Sequence, residues 1–253
     1  MKKHINKDSY DIYVSIIGGG NVASHLFKAL EAKAIVSIVN PRTLDNLPQR
    51  NDIAILSVKD SAIEEVAKKI INHADVIAHT SGSVPMSVLS DTANGWGVFY
   101  PLQTFTKGVE LDYSEIPFFI EANSQSAQNK LVKLAEMISN HVYIAGSEER
   151  KLLHLASVFA CNFTNCLMGI SRDILSKSNI DFKVMLPLLK QTISKLSNLS
   201  PTQAQTGPAA RRDYPVMENH LEMLSYDREL QEIYRLMSNH IITKSEKNEL
   251  DKL

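Results

Sequence analysis

The chain has 253 residues, 44% of them apolar and 22% charged, enough to build a sizeable core in one large domain or two. Lysine and arginine number 27 against 28 acidic residues, a formal net charge of −1, which gives no footing to nucleic acid or anionic membrane as a bulk partner. No uninterrupted apolar run reaches the roughly 18 residues of a membrane span, and Asn6 to Asp11 is polar where a secretory leader would be apolar.

In chain order, Ile12 to Ile17 is a β-branched apolar run that stops at Gly18-Gly19-Gly20, and an amphipathic segment from Val22 to Leu30 follows at once. The pattern predicts a strand, a tight turn and a helix start. The turn reads Gly-x-Gly-x-x-Ala, the alanine-ended dinucleotide fingerprint. Gly18 permits the sharp exit from the strand, Gly20 lets backbone approach a pyrophosphate, and Ala23 keeps the helix close to the sheet. Asn21 and Val22 open the helix, whose free N–H groups and positive dipole end suit phosphate.

Strands follow at 34–39, at 53–58 and at 75–79, with a helix from Asp60 to Ile71 capped by Asp60 or Ser61. Strands alternating with helices imply a parallel sheet wound in right-handed crossovers. Further strands are expected at 95–100, 116–121 and 142–145, with a helix at 127–138 between the last two. From Ser147 onward strand signals vanish. One long helix is expected from Glu148 to about Lys177, a second from Asp181 to Leu196, and two more after residue 213. The reading is an α/β nucleotide domain over 1–146, with a mostly parallel sheet, followed by a helical domain over 147–253. The last ten residues, charged and free of glycine, are expected to fray.

The end of the second strand selects the dinucleotide. An NAD-specific fold places Asp or Glu about 20 residues past the glycines; here stand Asn40, Arg42 and Thr43. An amide, a cation and a hydroxyl suit a 2′-phosphate that a carboxylate would repel. The expectation is NADP(H), against the plainer reading of a polar turn. Ligands in such sheets sit beyond the carboxyl ends of the strands, where the sequence puts Ser57, Val58, His79, Thr80 and Gln103. Ser57 and Val58 would line the cofactor by their backbone. His79 is either a proton donor or a hydrogen-bonded structural residue, and Gln103, being neutral, can only orient a ligand.

At about 100° per residue, Lys151, His154, Val158, Asn162 and Asn165 fall on one arc of the long helix, opposite Leu152, Ala156, Phe159, Phe163, Leu167 and Ile170. Imidazole and amides on such a stripe point to a polar cavity with a ligand, or to an interhelical hydrogen-bond network. His154 is the general acid/base candidate, because an unperturbed imidazole titrates near neutrality. Cys161 and Cys166 lie in the same helix and read as packing thiols in a reducing cytoplasm, neither a disulfide nor a metal site. Arg211 and Arg212, after Thr206-Gly207-Pro208-Ala209-Ala210, either hold a substrate carboxylate or phosphate or are solvated charge beside Asp213.

The motifs Gly18-Gly19-Gly20-Asn21-Val22-Ala23, His79-Thr80-Ser81-Gly82-Ser83, Phe99-Tyr100-Pro101-Leu102-Gln103-Thr104-Phe105, His154-Leu155-Ala156, Phe159-Ala160-Cys161-Asn162-Phe163 and Thr206-Gly207-Pro208-Ala209-Ala210-Arg211 resemble a group of bacterial Rossmann-like proteins. These are provisionally assigned as NADP oxidoreductases, with a C-terminal domain of no assigned function. The resemblance covers nearly the whole chain. The group is similar to pyrroline-5-carboxylate reductase, the deazaflavin-dependent NADP reductases and ketopantoate reductase. It implies a helical domain like the C-terminal part of 6-phosphogluconate dehydrogenase, and a homodimer formed through it. Two departures stand out. Ketopantoate reductase and the β-hydroxyacid dehydrogenases carry Lys-x-x-x-Asn on the corresponding helix; if Asn162 takes the Asn place, Val158 stands in the Lys place. The glycine that commonly follows the arginine of the Gly-Pro segment is here Arg212.

The expected function is hydride transfer to or from a small carbonyl, imine or hydroxy substrate between the two domains. His154, Asn162 and Gln103 would act on that substrate, and Asn165 and Arg211 would bind it. The rival reading is a non-catalytic NADP(H)-binding sensor or partner-binding module, favoured by the absent lysine.

Overall fold

The computed structural model describes residues 12–49, 51–90 and 92–250, with side chains described to residue 245; the polar segment Asn6 to Asp11 lies outside them. By its internal contacts the chain divides into two compact units, 1–167 and 168–253.

The first unit is built on seven strands: β1 (Tyr13–Ile17), β2 (Ile35–Val39), β3 (Ile53–Leu56), β4 (Val76–His79), β5 (Gly95–Pro101), β6 (Phe118–Ala122) and β7 (Val142–Ile144). They lie in the order β2-β1-β3-β4-β5-β6-β7. Every neighbouring pair is parallel except β5 with β6, which run antiparallel with Tyr100 opposite Phe119. Three α-helices accompany the sheet: α1 (Asn21–Leu30), α2 (Ile63–Lys69) and α3 (Gln125–Glu136).

Alternation along the strands explains why both faces are covered. Val14, Ile16, Ile53, Ile55, Val76 and Ala78 pack with α1 and α3 in one core cluster. Their odd-phase neighbours Ile17, Ala54, Leu56 and Ile77 pack with α2 and Leu89 in another. Strands buried on both faces read as continuous apolar runs rather than alternating ones. Each fully buried Ile or Leu contributes roughly 1.5–3 kcal/mol, so the sheet's central position follows from composition.

The elements expected from sequence are present, with shifted ends. The expected helix from Asp60 begins as a 3₁₀ turn over Asp60–Ala62 before α2. The Asp60 carboxylate does not cap it but accepts a 2.6 Å bond from the Ser83 hydroxyl. The long helix is α4 (Ser147–Ser157), a π turn over Val158–Phe163, and α5 (Thr164–Ser176). Residues 147–167 of it belong to the first unit, whereas the expected domain boundary lay at 146.

The second unit carries the rest of α5, then α6 (Leu186–Ser194), α7 (Pro201–Ala204), α8 (Tyr214–Met223) and α9 (Arg228–Leu250). Within it His220 Nδ1 and the Tyr234 hydroxyl are 2.8 Å apart. Helix α9 continues through residues expected to fray, as far as Leu250. Helix α5 and the segments after it leave Ile174, Val184, Leu188, Ile193 and Leu196 exposed.

Candidate functional site

A cleft of about 1250 Å³ runs along the carboxyl ends of the strands in the first unit, the position expected for ligands in open α/β sheets. At one end lie Gly18, Gly19, Gly20, Asn21, Val22 and Arg42. The glycines divide the work. Gly18 has φ +150°, and a Cβ there would stand 2.0 Å from the Ser57 carbonyl oxygen, so it is required by β3 and not by a ligand. A Cβ on Gly19 or Gly20 would meet nothing within 4 Å. Those two face open space at the start of the ten-residue helix α1, whose first turn carries no acidic residue. A bare backbone at an unopposed helix N-terminus is what a pyrophosphate needs, so the residues present fit a dinucleotide.

Arg42 also lines the cleft. Asn40 and Thr43, expected beside it at the cofactor, do not: the Asn40 side-chain oxygen accepts from the Arg42 N–H at 2.9 Å, and Thr43 Oγ1 accepts from the Asp45 N–H at 3.5 Å. Both side chains are spent on the turn that presents Arg42, as Asn and Thr commonly are. The middle of the cleft is walled by Ser57, Val58, Thr80 and Ser81, with the Ser57 N–H bonded to the Ile17 carbonyl at 2.9 Å.

His79 lies apart from these side chains. It is fully buried and stands outside the cleft lining. Its Nδ1 accepts the Ser81 N–H at 3.2 Å, which leaves the proton on Nε2. Burial, reinforced by the Arg150 charge, holds its pKa down at about 4, against a smaller upward pull from the Pro85 carbonyl and Asp60. Of its two readings, the structural one fits this placement: a neutral ring fixing the turn after β4.

The far end is lined by Tyr100, Gln103, His154, Ser157, Cys161 and Asn162, among others. The Tyr100 hydroxyl is 3.3 Å from His154 Nδ1. Burial raises the phenol above its ordinary range, against smaller opposing effects from the Ser157 hydroxyl and Arg150. Gln103 is exposed, and its oxygen is held by the Thr104 N–H at 2.7 Å. Asn165 lies outside the cleft lining. The π turn accounts for this, since it adds a residue to one turn and shifts the following helix by roughly 100°. Arg211 is exposed and belongs to the second unit.

Sequence reasoning missed Tyr100, Gly82, Ser157, Cys161 and, most of all, Arg150. The Arg150 side chain is 0% exposed. Its Nη1 donates to Glu121 Oε2 at 2.5 Å, its Nε to the Ser81 carbonyl at 3.1 Å, and its Nη2 to the Val84 carbonyl. Ser147 Oγ completes the network, donating to Glu121 at 2.8 Å while accepting the Met86 N–H at 3.2 Å. The guanidinium thus ties α4, β6 and the turn after β4 into one rigid wall. The available signal for Tyr100 was its place at the carboxyl end of β5, before Pro101.

Residues 116–241 match the family model described as a domain of unknown function (DUF2520). A crystal structure from Bacteroides fragilis, provisionally described as an NADP oxidoreductase, is 40% identical, covers 92% of this chain and 98% of its own, and has a TM-score of 0.86. A reductive aminase from Aspergillus terreus, solved with NADPH and ethyl levulinate, is 10% identical with a TM-score of 0.69 over 92% of this chain and 94% of that one. A 1-pyrroline-5-carboxylate reductase from Streptococcus pyogenes is 14% identical with a TM-score of 0.58 over 92% and 99%. At the latter two identities the likeness is one of fold. No curated protein sequence matches. The chain belongs to the family of the Bacteroides fragilis protein: Rossmann-like proteins with a C-terminal helical domain, provisionally assigned as NADP oxidoreductases.

Proposed function

We propose that this protein is a cytoplasmic NADPH-dependent reductase of a small carbonyl or imine, able in reverse to oxidise the product. The observation that carries the reading is that one cleft joins the open glycine corner to a group of proton-bearing side chains. Gly19, Gly20 and the start of α1 hold the pyrophosphate, and Arg42 holds the 2′-phosphate. NADPH, when bound, supplies a hydride to the carbon of a C=O or C=N bond. Asn162 and the Gln103 amide orient the substrate, and the Tyr100–His154 couple handles the proton. The fold likeness to proteins named as a reductive aminase and a pyrroline-5-carboxylate reductase supports C=N and C=O substrates. Two cysteines without a disulfide, Cys161 and Cys166, suit a reducing compartment.

A homodimer is part of the proposal. The helix spanning 147–176 holds an 18-residue window of mean hydropathy 1.3 with none of it buried. It is long and apolar enough by length and composition to cross a bilayer, although no uninterrupted apolar run within it reaches that length. Averaging tolerates the polar His154, Ser157 and Asn162, which turn to the cleft, while Leu152, Phe159 and Phe163 stay exposed. An apolar face of this extent needs cover, and a second copy, as in obligate dimers with hydrophobic interfaces, supplies it; light scattering should give twice the chain mass.

Calorimetry with NADPH and NADH tests the cofactor. Arg42→Ala should weaken NADPH by roughly 10- to 100-fold, the worth of a charge-assisted hydrogen bond, and leave NADH nearly unchanged. Equal weakening would remove the 2′-phosphate assignment. Absence of heat with either nucleotide would remove the reductase reading. NADPH binding without turnover on a panel of ketoacids, ketoesters and cyclic imines would leave a binding module.

A further inference from the structure

Tyr100, Gly82 and His154 come from β5, the turn after β4 and α4, three elements far apart in the chain, and all three line the cleft. The tyrosine and histidine rings meet edge to face with centroids 6.2 Å apart. A Cβ built on Gly82 would stand 2.8 Å from both Tyr100 Cζ and His154 Nδ1, and 2.9 Å from His154 Cβ. Only a residue without a side chain lets this pair close. The neighbouring Ser81 carbonyl is fixed by Arg150 Nε at 3.1 Å, so the glycine cannot drift away. Tyr100 is only 8% exposed and its ring is backed by Phe119, centroids 6.4 Å apart.

We propose that the Tyr100 hydroxyl is the proton donor of the reduction and that His154 restores its proton. This rests on the reductase reading and deepens it. His154 Nδ1 faces the phenol and the Gly82 backbone, which makes it a partner of Tyr100 more than of a ligand. A phenol holds its proton throughout the neutral range, and burial pushes Tyr100 further that way, so the donor is loaded before reaction. As the substrate's π pair settles on its oxygen or nitrogen, that atom takes the proton from Tyr100 Oη, and the O–H bonding pair remains on the phenolate. The phenolate then takes the Nδ1 proton of His154, while Nε2 takes one from water. The net proton comes from solvent, and the ring ends as the other tautomer.

The test compares wild type, Tyr100→Phe and Gly82→Ala in NADPH oxidation with 1-pyrroline and ethyl levulinate as probes, alongside calorimetry of NADPH. Ring ¹⁵N resonances of His154 are recorded without nucleotide. Loss of a positioned proton donor removes roughly 10²- to 10⁴-fold of rate. Both variants should lose at least 100-fold in turnover with NADPH affinity within threefold of wild type, and the His154 resonances should move in both. Gly82→Ala reaches the couple without removing the phenol, so it serves should Tyr100→Phe not fold. Turnover within threefold of wild type in Tyr100→Phe, or unmoved His154 resonances, overturns the proposal and leaves the reductase reading standing. Wild type that binds NADPH and reduces neither probe overturns it likewise. Wild type that binds no NADPH removes both.

Discussion

Replacing Arg150 by methionine tests how much of the site wall hangs on one buried charge. The substitution keeps most of the side chain's volume and removes the guanidinium. Glu121, whose side chain is only 17% exposed, then keeps its charge with Ser147 as its one remaining hydrogen-bond donor among the described residues. Breaking a buried pair by removing one partner costs roughly 3–5 kcal/mol. The Ser81 and Val84 carbonyls also lose a donor each, at about 1–3 kcal/mol for every buried acceptor left unpaired. These contributions overlap, so a total of about 5 kcal/mol is expected, comparable with the whole stability of many domains. Trp96 is the chain's one tryptophan and packs against the α2-side core, so urea unfolding followed by its fluorescence reports the first unit. Glu121→Met in the Arg150→Met background should recover part of the loss, because a matched apolar pair leaves no uncompensated charge. A loss below about 1 kcal/mol, or a double variant no more stable than the single one, would refute the view that this pair holds the wall.

Two further changes probe the ends of the same wall. Gly18→Ala should unfold or severely destabilise the protein, since its Cβ would stand 2.0 Å from the Ser57 carbonyl at φ +150°, whereas Gly19→Ala should leave thermal stability within about 1 kcal/mol and weaken NADPH alone. The His79 ring gives an acid limb: its folded pKa of about 4 lies below the ordinary 6.5, so the unfolded state binds the extra proton and stability falls as pH drops from 6.5 to about 4. The shift amounts to about 3 kcal/mol, and His79→Gln should flatten that part of a urea-midpoint profile; an unchanged slope between pH 7 and 4.5 would show that the ring does not titrate there.

The cofactor end of the cleft was legible because backbone builds it. A strand, three glycines and an amphipathic helix are local events, and period and composition carry them; β1 to β4 came out within two residues of where the apolar runs put them. Arg42 was visible for the same reason, as a cation just past a strand end. The far end is assembled from side chains that meet only in three dimensions. Nothing local to Arg150 says that it will be wholly buried, because its acceptors lie 29, 66 and 69 residues away. Gly82 reads as an ordinary turn glycine until the positions of Tyr100 and His154 are known. His79 misled because its strand-end position is right while its ring turns inward to the Ser81 N–H. The helical arc failed at Asn165 because a straight wheel assumes 3.6 residues per turn throughout, and the π turn at Val158–Phe163 breaks that assumption.

That π turn also links the two demands made on helix 147–176. Residues of the cleft and the exposed apolar residues lie along a single rod whose azimuths are otherwise locked at fixed intervals. Up to Ser157, α4 is registered by Arg150, which allows no rotation without breaking three buried bonds. An extra residue in a single turn offsets the azimuths beyond it by roughly 100°. Thr164 marks the place, its hydroxyl donating to the Phe159 carbonyl five residues back at 3.4 Å. π turns of this kind concentrate at functional sites, and here it falls where Cys161 and Asn162 line the cleft.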